Sequence, residues 1–225
     1  MQVVCVILAA GRGTRMGGPK ALLAWPRPDG AALPLALVHA GARLGIDCES
    51  VVIVTRAKVA TILASYHPAG ACHFVSSAAP DEQGPAGSLA AAVAHLDARE
   101  PRLAATDAIL ISPVDCLPAS PAVVAALWAT LAGGGPRTLA VRPRHAGRGG
   151  HPVLIRPAVL APYREASPPP LRDVLRGLGE QLADCQVDDN SILGDVDTPQ
   201  DYARHTGDVH GPRFLAEWSS RVDSD

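Results

Sequence analysis

Aromatic residues make up only 4% of this 225-residue chain, too few to build a stacking platform for the bases of a nucleic acid. Charge of one sign is lacking as well. The formal net charge is −2 and the basic residues are scattered, so there is no electrostatic footprint for nucleic acid or an anionic membrane. No apolar run approaches membrane-spanning length. The apolar stretch from Val3 to Ala10 has no basic leader and runs straight into glycines and arginines. It reads as a strand rather than a signal peptide, and the protein is expected in the cytoplasm. The five cysteines are odd in number and widely spaced. They form no C-x-x-C or Cys/His ligand pattern, which argues against a disulfide framework or a zinc site. They read as small core residues, with Cys116 set apart from the rest. No spacing suggests a Ser-His-Asp or Cys-His catalytic arrangement.

What the chain has in quantity is aliphatic residues. Hydrophobic residues total 48%, enough to bury a substantial core. The continuous run Val3-Val4-Cys5-Val6-Ile7-Leu8 predicts a strand buried on both faces of a parallel sheet. Similar runs stand at 51–54, 73–75 and 108–111, with helical patterns between them at 35–44, 59–65 and 89–96. The alternation predicts an α/β fold, a single-domain Rossmann-like, mostly parallel sheet with helices on both faces. A helix is expected at 121–131, strand-like segments at 138–141 and 152–155, and a short helix at 171–178. Strands are expected near 185–187 and 192–196. Thr198-Pro199 predicts a helix start, an N-cap followed by proline at the first helical position. The domain is expected to span 1–206, with a loose tail over 207–225.

The strongest signal is Leu8-Ala9-Ala10-Gly11-Arg12-Gly13-Thr14-Arg15-Met16-Gly17-Gly18-Pro19-Lys20, directly after the first strand. Glycines there let backbone N–H groups approach phosphate oxygens. The dinucleotide fingerprint fails at Met16. A P-loop fails because Pro19 and Ala21 stand where Lys and Ser/Thr are required. What remains is a glycine loop with two cations, Arg15 and Lys20, suited to neutralising a bound triphosphate. At the end of another buried run, Asp115 is a natural Mg²⁺ ligand. A second acid should converge on it, and Asp195 and Asp197 point to one face of an extended segment.

The L-A-A-G-x-G-T-R-M-x-x-P-K loop resembles the signature of the nucleotidyltransferase superfamily with a GlmU/RmlA-like core, and most of all its MobA/MocA-like branch. The likeness runs from about Val3 to Arg204. It implies that Leu8, Ala9, Ala10, Gly11, Gly13 and Thr14 bind the nucleotide, with Arg15 and Lys20 as catalytic cations. It gives Asp115 and Asp195 the metal positions, whereas Asp197 falls where relatives often carry Gly. The stretch from Asp81 to Leu89 would lie against base and ribose, with Gly84 and Ser88 contributing and Ser88 as an N-cap. Gly147 to Val153 resembles an acceptor-side segment, which makes Arg148 and His151 substrate-binding candidates. One departure is Asp115-Cys116-Leu117-Pro118, where relatives read Asp-x-Pro.

The expected activity is transfer of NMP from an NTP, CTP rather than GTP, to a phosphorylated small-molecule acceptor with Mg²⁺ as cofactor. A molybdopterin-type cofactor is the leading acceptor, and a molybdoenzyme would then be a maturation partner. Sugar- or polyol-phosphate nucleotidyl transfer is an alternative. A non-catalytic nucleotide-binding regulator or chaperone of the same fold is another.

Overall fold

The computed structural model describes residues 2–27, 29–44, 48–66, 70–77 and 84–215. The chain opens on β1 (Val3–Leu8) and passes through 3-10 turns at Thr14–Met16 and Lys20–Leu22. A short antiparallel pair follows, β2 (Ala24–Pro26) and β3 (Ala32–Pro34), and then α1 (Leu35–Gly41). Next come β4 (Ser50–Thr55), α2 (Ala57–Tyr66), β5 (Cys72–Ser76), α3 (Gly84–Ala98), β6 (Ala108–Pro113) and α4 (Pro121–Gly133). The remaining elements are β7 (Ala140–His145), β8 (Arg148–Gly149), β9 (Val153–Ile155), α5 (Leu171–Gly177), β10 (Leu182–Gln186) and α6 (Pro199–Thr206).

The large sheet has the order β10-β7-β9-β6-β1-β4-β5, with β8 pairing to β7. β1 lies at its centre, parallel to both β4 and β6. β9 runs antiparallel to its neighbours β6 and β7. The residues of β1 explain its place. Cys5 and Ile7 face one buried cluster, and Val4 and Val6 face the other. Both faces of the strand are therefore covered, as a continuous β-branched run requires. Each fully buried Val or Ile contributes about 1.5–3 kcal/mol relative to exposure.

The topology also opens a crevice. From β1 the chain moves outward to β4 and β5 on one side, then returns to β6 on the other. The segments leaving β1 and β6 diverge at the carboxyl edge of the sheet, where open α/β folds place ligands.

Helix starts follow local chemistry. Ser120 caps α4 by accepting the Val123 N–H, with Pro121 just inside. Thr198 and Asp201 form a reciprocal capping box on α6. One expectation gives way. The strand expected at 192–196 is instead a 3-10 turn, Asn190–Leu193, followed by a single bridge between Asp195 and Cys116. The Asp189 carboxylate accepts the Ser191 N–H and bends the chain there. Part of the segment after α6 is tied to the body of the chain. The Ala24 N–H donates to Arg213 O at 2.7 Å, and the Leu215 N–H donates to Leu22 O at 3.1 Å. Phe214 packs against the core. Residues 216–225 lie outside the described residues. All five cysteines are free and buried, Cys116 included. Among the described residues, no helix is long and apolar enough to cross a membrane.

Candidate functional site

The loop after β1 is fixed by the neighbouring strand and by its own glycines. The Ala9 N–H donates to Val54 O, the Thr55 hydroxyl donates to Ala9 O at 3.0 Å, and Arg56 Nε donates to Ala10 O at 2.9 Å. The end of β4 thus sets where the loop begins. Gly13 has φ +62°, and its carbonyl accepts the N–H groups of Met16 and Gly18. A Cβ at Gly13 would stand 2.0 Å from Gly18 O, whereas a Cβ at Gly11 would meet nothing within 4 Å. The two glycines therefore answer different demands. Gly13 is required by the fold of the loop, while Gly11 leaves space on the cleft side. Gly13→Ala should lower the melting temperature and distort the loop, at a cost of about 1–3 kcal/mol. Gly11→Ala should leave the melting temperature unchanged and weaken nucleotide binding. Thermal unfolding and nucleotide titration of the two variants check this, and equal behaviour would remove the distinction.

A cleft of about 540 Å³ opens along the carboxyl edge. Its lining includes Leu8, Ala10, Gly11, Gly13, Thr14, Arg15, Lys20, Gly84, Ser88 and Asp115, all expected from the sequence. Ala9 is buried beneath the loop and contributes through its backbone. Ser88 is not an N-cap. α3 begins at Gly84 with Pro85 in its first turn, so Ser88 lies a full turn inside the helix, where it is buried. Asp81 to Gln83, expected to meet the base, fall outside the described residues.

At the β6 side of the cleft, Lys20 Nζ donates to Asp115 Oδ2 at 3.2 Å and to Asp197 Oδ1 at 2.5 Å. The Lys20 side chain is only 14% exposed, against 40% for Asp115 and 48% for Asp197. Burial works against the ammonium charge, but the hydrogen bonds and attraction of Asp197 and Asp115 outweigh it and hold its pKa above the ordinary value. Lys20 stays charged. The two acids converge because their backbones are tied together. The Val196 N–H donates to Asp115 O at 2.7 Å, and the Leu117 N–H donates to Gly194 O at 3.0 Å.

Asp195 lies elsewhere. It accepts the Cys116 thiol at 3.5 Å and lines a second, polar cleft of about 580 Å³ with Asp197, Asp201, Arg204 and His205. Burial, together with the charges of Asp115 and Asp195, pushes the Cys116 thiol pKa far up, so it remains a neutral donor. The partner of Asp115 at Lys20 is thus Asp197, not Asp195. Arg148 is exposed on β8 and lines neither cleft. His151 is half-buried, with its backbone N–H donating to Ile192 O and its ring Nδ1 buried without a partner. Burial lowers its pKa against the opposing pull of Asp115 and Asp195.

Sequence reasoning missed Arg56 and Ser77 in the lining and did not assign Arg12 a role. The available signal was position, since Arg56 follows the carboxyl end of β4, which pairs with β1, and Ser77 follows that of β5, the next parallel strand outward.

A family model described as MobA-like NTP transferase domain matches residues 5–185. No curated sequence matches the chain. Among solved structures, Rv0371c of Mycobacterium tuberculosis H37Rv in complex with manganese is similar at 24% identity and TM-score 0.65, covering 92% of this chain and 99% of that one. The 4-diphosphocytidyl-2C-methyl-D-erythritol synthase of Anaerococcus prevotii is similar at 13% identity and TM-score 0.61, covering 92% and 95%. Molybdopterin-guanine dinucleotide biosynthesis protein A of Archaeoglobus fulgidus is similar at 17% identity and TM-score 0.58, covering 91% and 97%.

Proposed function

Because this chain belongs to the MobA-like NTP transferase domain family and is a nucleotidyltransferase, we propose that it transfers CMP from CTP to the phosphate of a molybdopterin-type cofactor. The observation that carries the reading is the charged cluster of Lys20, Asp115 and Asp197 beside a glycine loop with Arg15. An oxygen of the acceptor phosphate attacks the α-phosphorus. The bond from that phosphorus to the bridging oxygen breaks, and pyrophosphate leaves with the electron pair. A phosphate monoester is already ionised at neutral pH, so no strong general base is needed. Positioning and charge neutralisation are then the whole task. Lys20 serves as a point charge at the α-phosphate, and Arg15 chelates phosphate oxygens with its planar fork.

Mg²⁺ fits the donor set. Two carboxylate oxygens within 3.2 Å of one Nζ lie close enough to share a cation with modest adjustment, and Mg²⁺ characteristically takes one or two carboxylates plus phosphate oxygens. Asp115 and Asp197 would hold it. When bound with the nucleotide, it would offset phosphate charge and polarise the α-phosphate. A manganese complex is named for the similar Rv0371c structure.

The preference for CTP over GTP rests on Ala9-Ala10-Gly11, which resembles the loop of pyrimidine-nucleotide users where guanine users more often carry a second glycine; Ala10 lines the cleft. CTP should react faster than GTP, and Ala10→Gly should erode the preference. The test follows pyrophosphate release with four NTPs and a panel of phosphorylated acceptors. A clear GTP preference in the unmodified protein would overturn the base assignment without touching the reaction class. A polyol phosphate is the second acceptor reading, since a diphosphocytidyl-methylerythritol synthase shares the fold.

A further inference from the structure

His39 and Arg43 are among the polar side chains buried deeply outside both clefts. His39 on α1 is 3% exposed, and Arg43, in the turn just after α1, is 5% exposed. Both reach the same segment, the loop between β6 and α4 that carries Asp115. His39 Nε2 donates to Cys116 O at 2.9 Å, and Arg43 Nη2 donates to Ala119 O. On its opposite side the loop is bonded to residues 194–196, immediately before Asp197, through Leu117 to Gly194 and Val196 to Asp115. The loop is therefore gripped from α1 on one side and fixed to the Asp197 segment on the other.

The chemistry of the grip is specific. Burial pushes the His39 pKa down to about 4, despite the hydrogen bond to Cys116 that favours the charged form. A neutral imidazole has one N–H, and it is spent on a carbonyl adjoining Asp115. Burying an imidazole and a guanidinium is costly unless their hydrogen bonds are made. Apolar side chains of similar size could fill the space but could not fix a carbonyl's position.

We infer that His39 and Arg43 are positioning residues, holding the 114–119 loop so that Asp115 stands beside Asp197 at the separation one cation spans. The inference rests on the proposed metal–nucleotide reading of the cleft. Groups that orient metal ligands from behind typically affect metal affinity by about 10- to 100-fold, and His39 would do so through the backbone of the ligand loop.

The test is calorimetric binding of CTP at a series of Mg²⁺ concentrations, with thermal unfolding alongside. His39→Leu removes the donor and keeps the volume; His39→Gln keeps an N–H near the Nε2 position. His39→Leu should raise the Mg²⁺ concentration for half-maximal CTP binding roughly 10-fold or more, and His39→Gln should restore most of it. Arg43→Lys, with shorter reach to Ala119, should shift the requirement in the same direction as His39→Leu and carries the test if His39→Leu does not fold. A folded His39→Leu or Arg43→Lys protein with the wild-type Mg²⁺ requirement overturns the inference. An equal shift in His39→Gln and His39→Leu does so too, because it removes the role of the hydrogen bond. Wild-type protein that binds CTP without regard to Mg²⁺ sinks the parent reading, and the inference with it.

Discussion

Lys20→Ala protein should fold like the wild type and lose about 10²–10³ in turnover, the usual loss of roughly 2.7–4 kcal/mol for one preorganised charge contact at a reacting centre. The side chain is mostly buried but its ammonium faces the cleft acids, so its removal opens no large apolar cavity. Its charge is secured by two carboxylates. When triphosphate enters, the ammonium can exchange carboxylate partners for phosphate oxygens without crossing the cleft. Arg15→Ala should act in the same direction, since Arg15 is exposed along the same lining. Steady-state pyrophosphate release and thermal unfolding together make the check. Wild-type turnover in a folded Lys20→Ala protein would remove the phosphate-loop assignment.

Asp115→Asn and Asp197→Asn should each raise the Mg²⁺ needed for turnover by about 100-fold, because each deletes one carboxylate from the proposed pair of ligands. Asp195→Asn should have the smaller effect. The ranking of Asp197 above Asp195 follows from the geometry. Asp197 meets Lys20 in the main cleft, whereas Asp195 is bound to the Cys116 thiol and lines the second cleft. Mg²⁺ titrations of the three variants decide it. A severe Asp195→Asn defect beside a mild Asp197→Asn one would restore the order expected from the sequence likeness.

The contrast between those two acids illustrates what a sequence carries and what it does not. β1, β4 and β6 were legible because a parallel strand covered on both faces must be a continuous apolar run, and Val4 to Ile7 are fully buried accordingly. The glycine loop was legible because Gly13 answers a strict backbone demand at +62°. Alternation expected Asp195 and Asp197 on one face of an extended segment, and Val196 between them is buried. Alternation alone could not say which of them reaches Lys20. That depends on the bridge between Asp195 and Cys116 and on the Leu117 N–H bond to Gly194 O, and the Cys116 thiol lies 79 positions from Asp195 in sequence. The start of α3 was missed for a local reason: Ser88 has the chemistry of an N-cap, but Pro85 in the first turn belongs to a helix already begun. The clamp from His39 and Arg43 leaves no motif, because both act on carbonyls that any residue supplies.

A crystal structure of the protein with CTP and Mn²⁺, the metal located by its anomalous scattering, tests the shared Asp115–Asp197 site directly. A manganese peak bonded to Asp115 and Asp197 is expected, with the α-phosphate within hydrogen-bonding distance of Lys20 and the triphosphate along the Gly11–Lys20 loop. A manganese peak on Asp195 in the second cleft, or nucleotide bound away from Lys20, would contradict that arrangement.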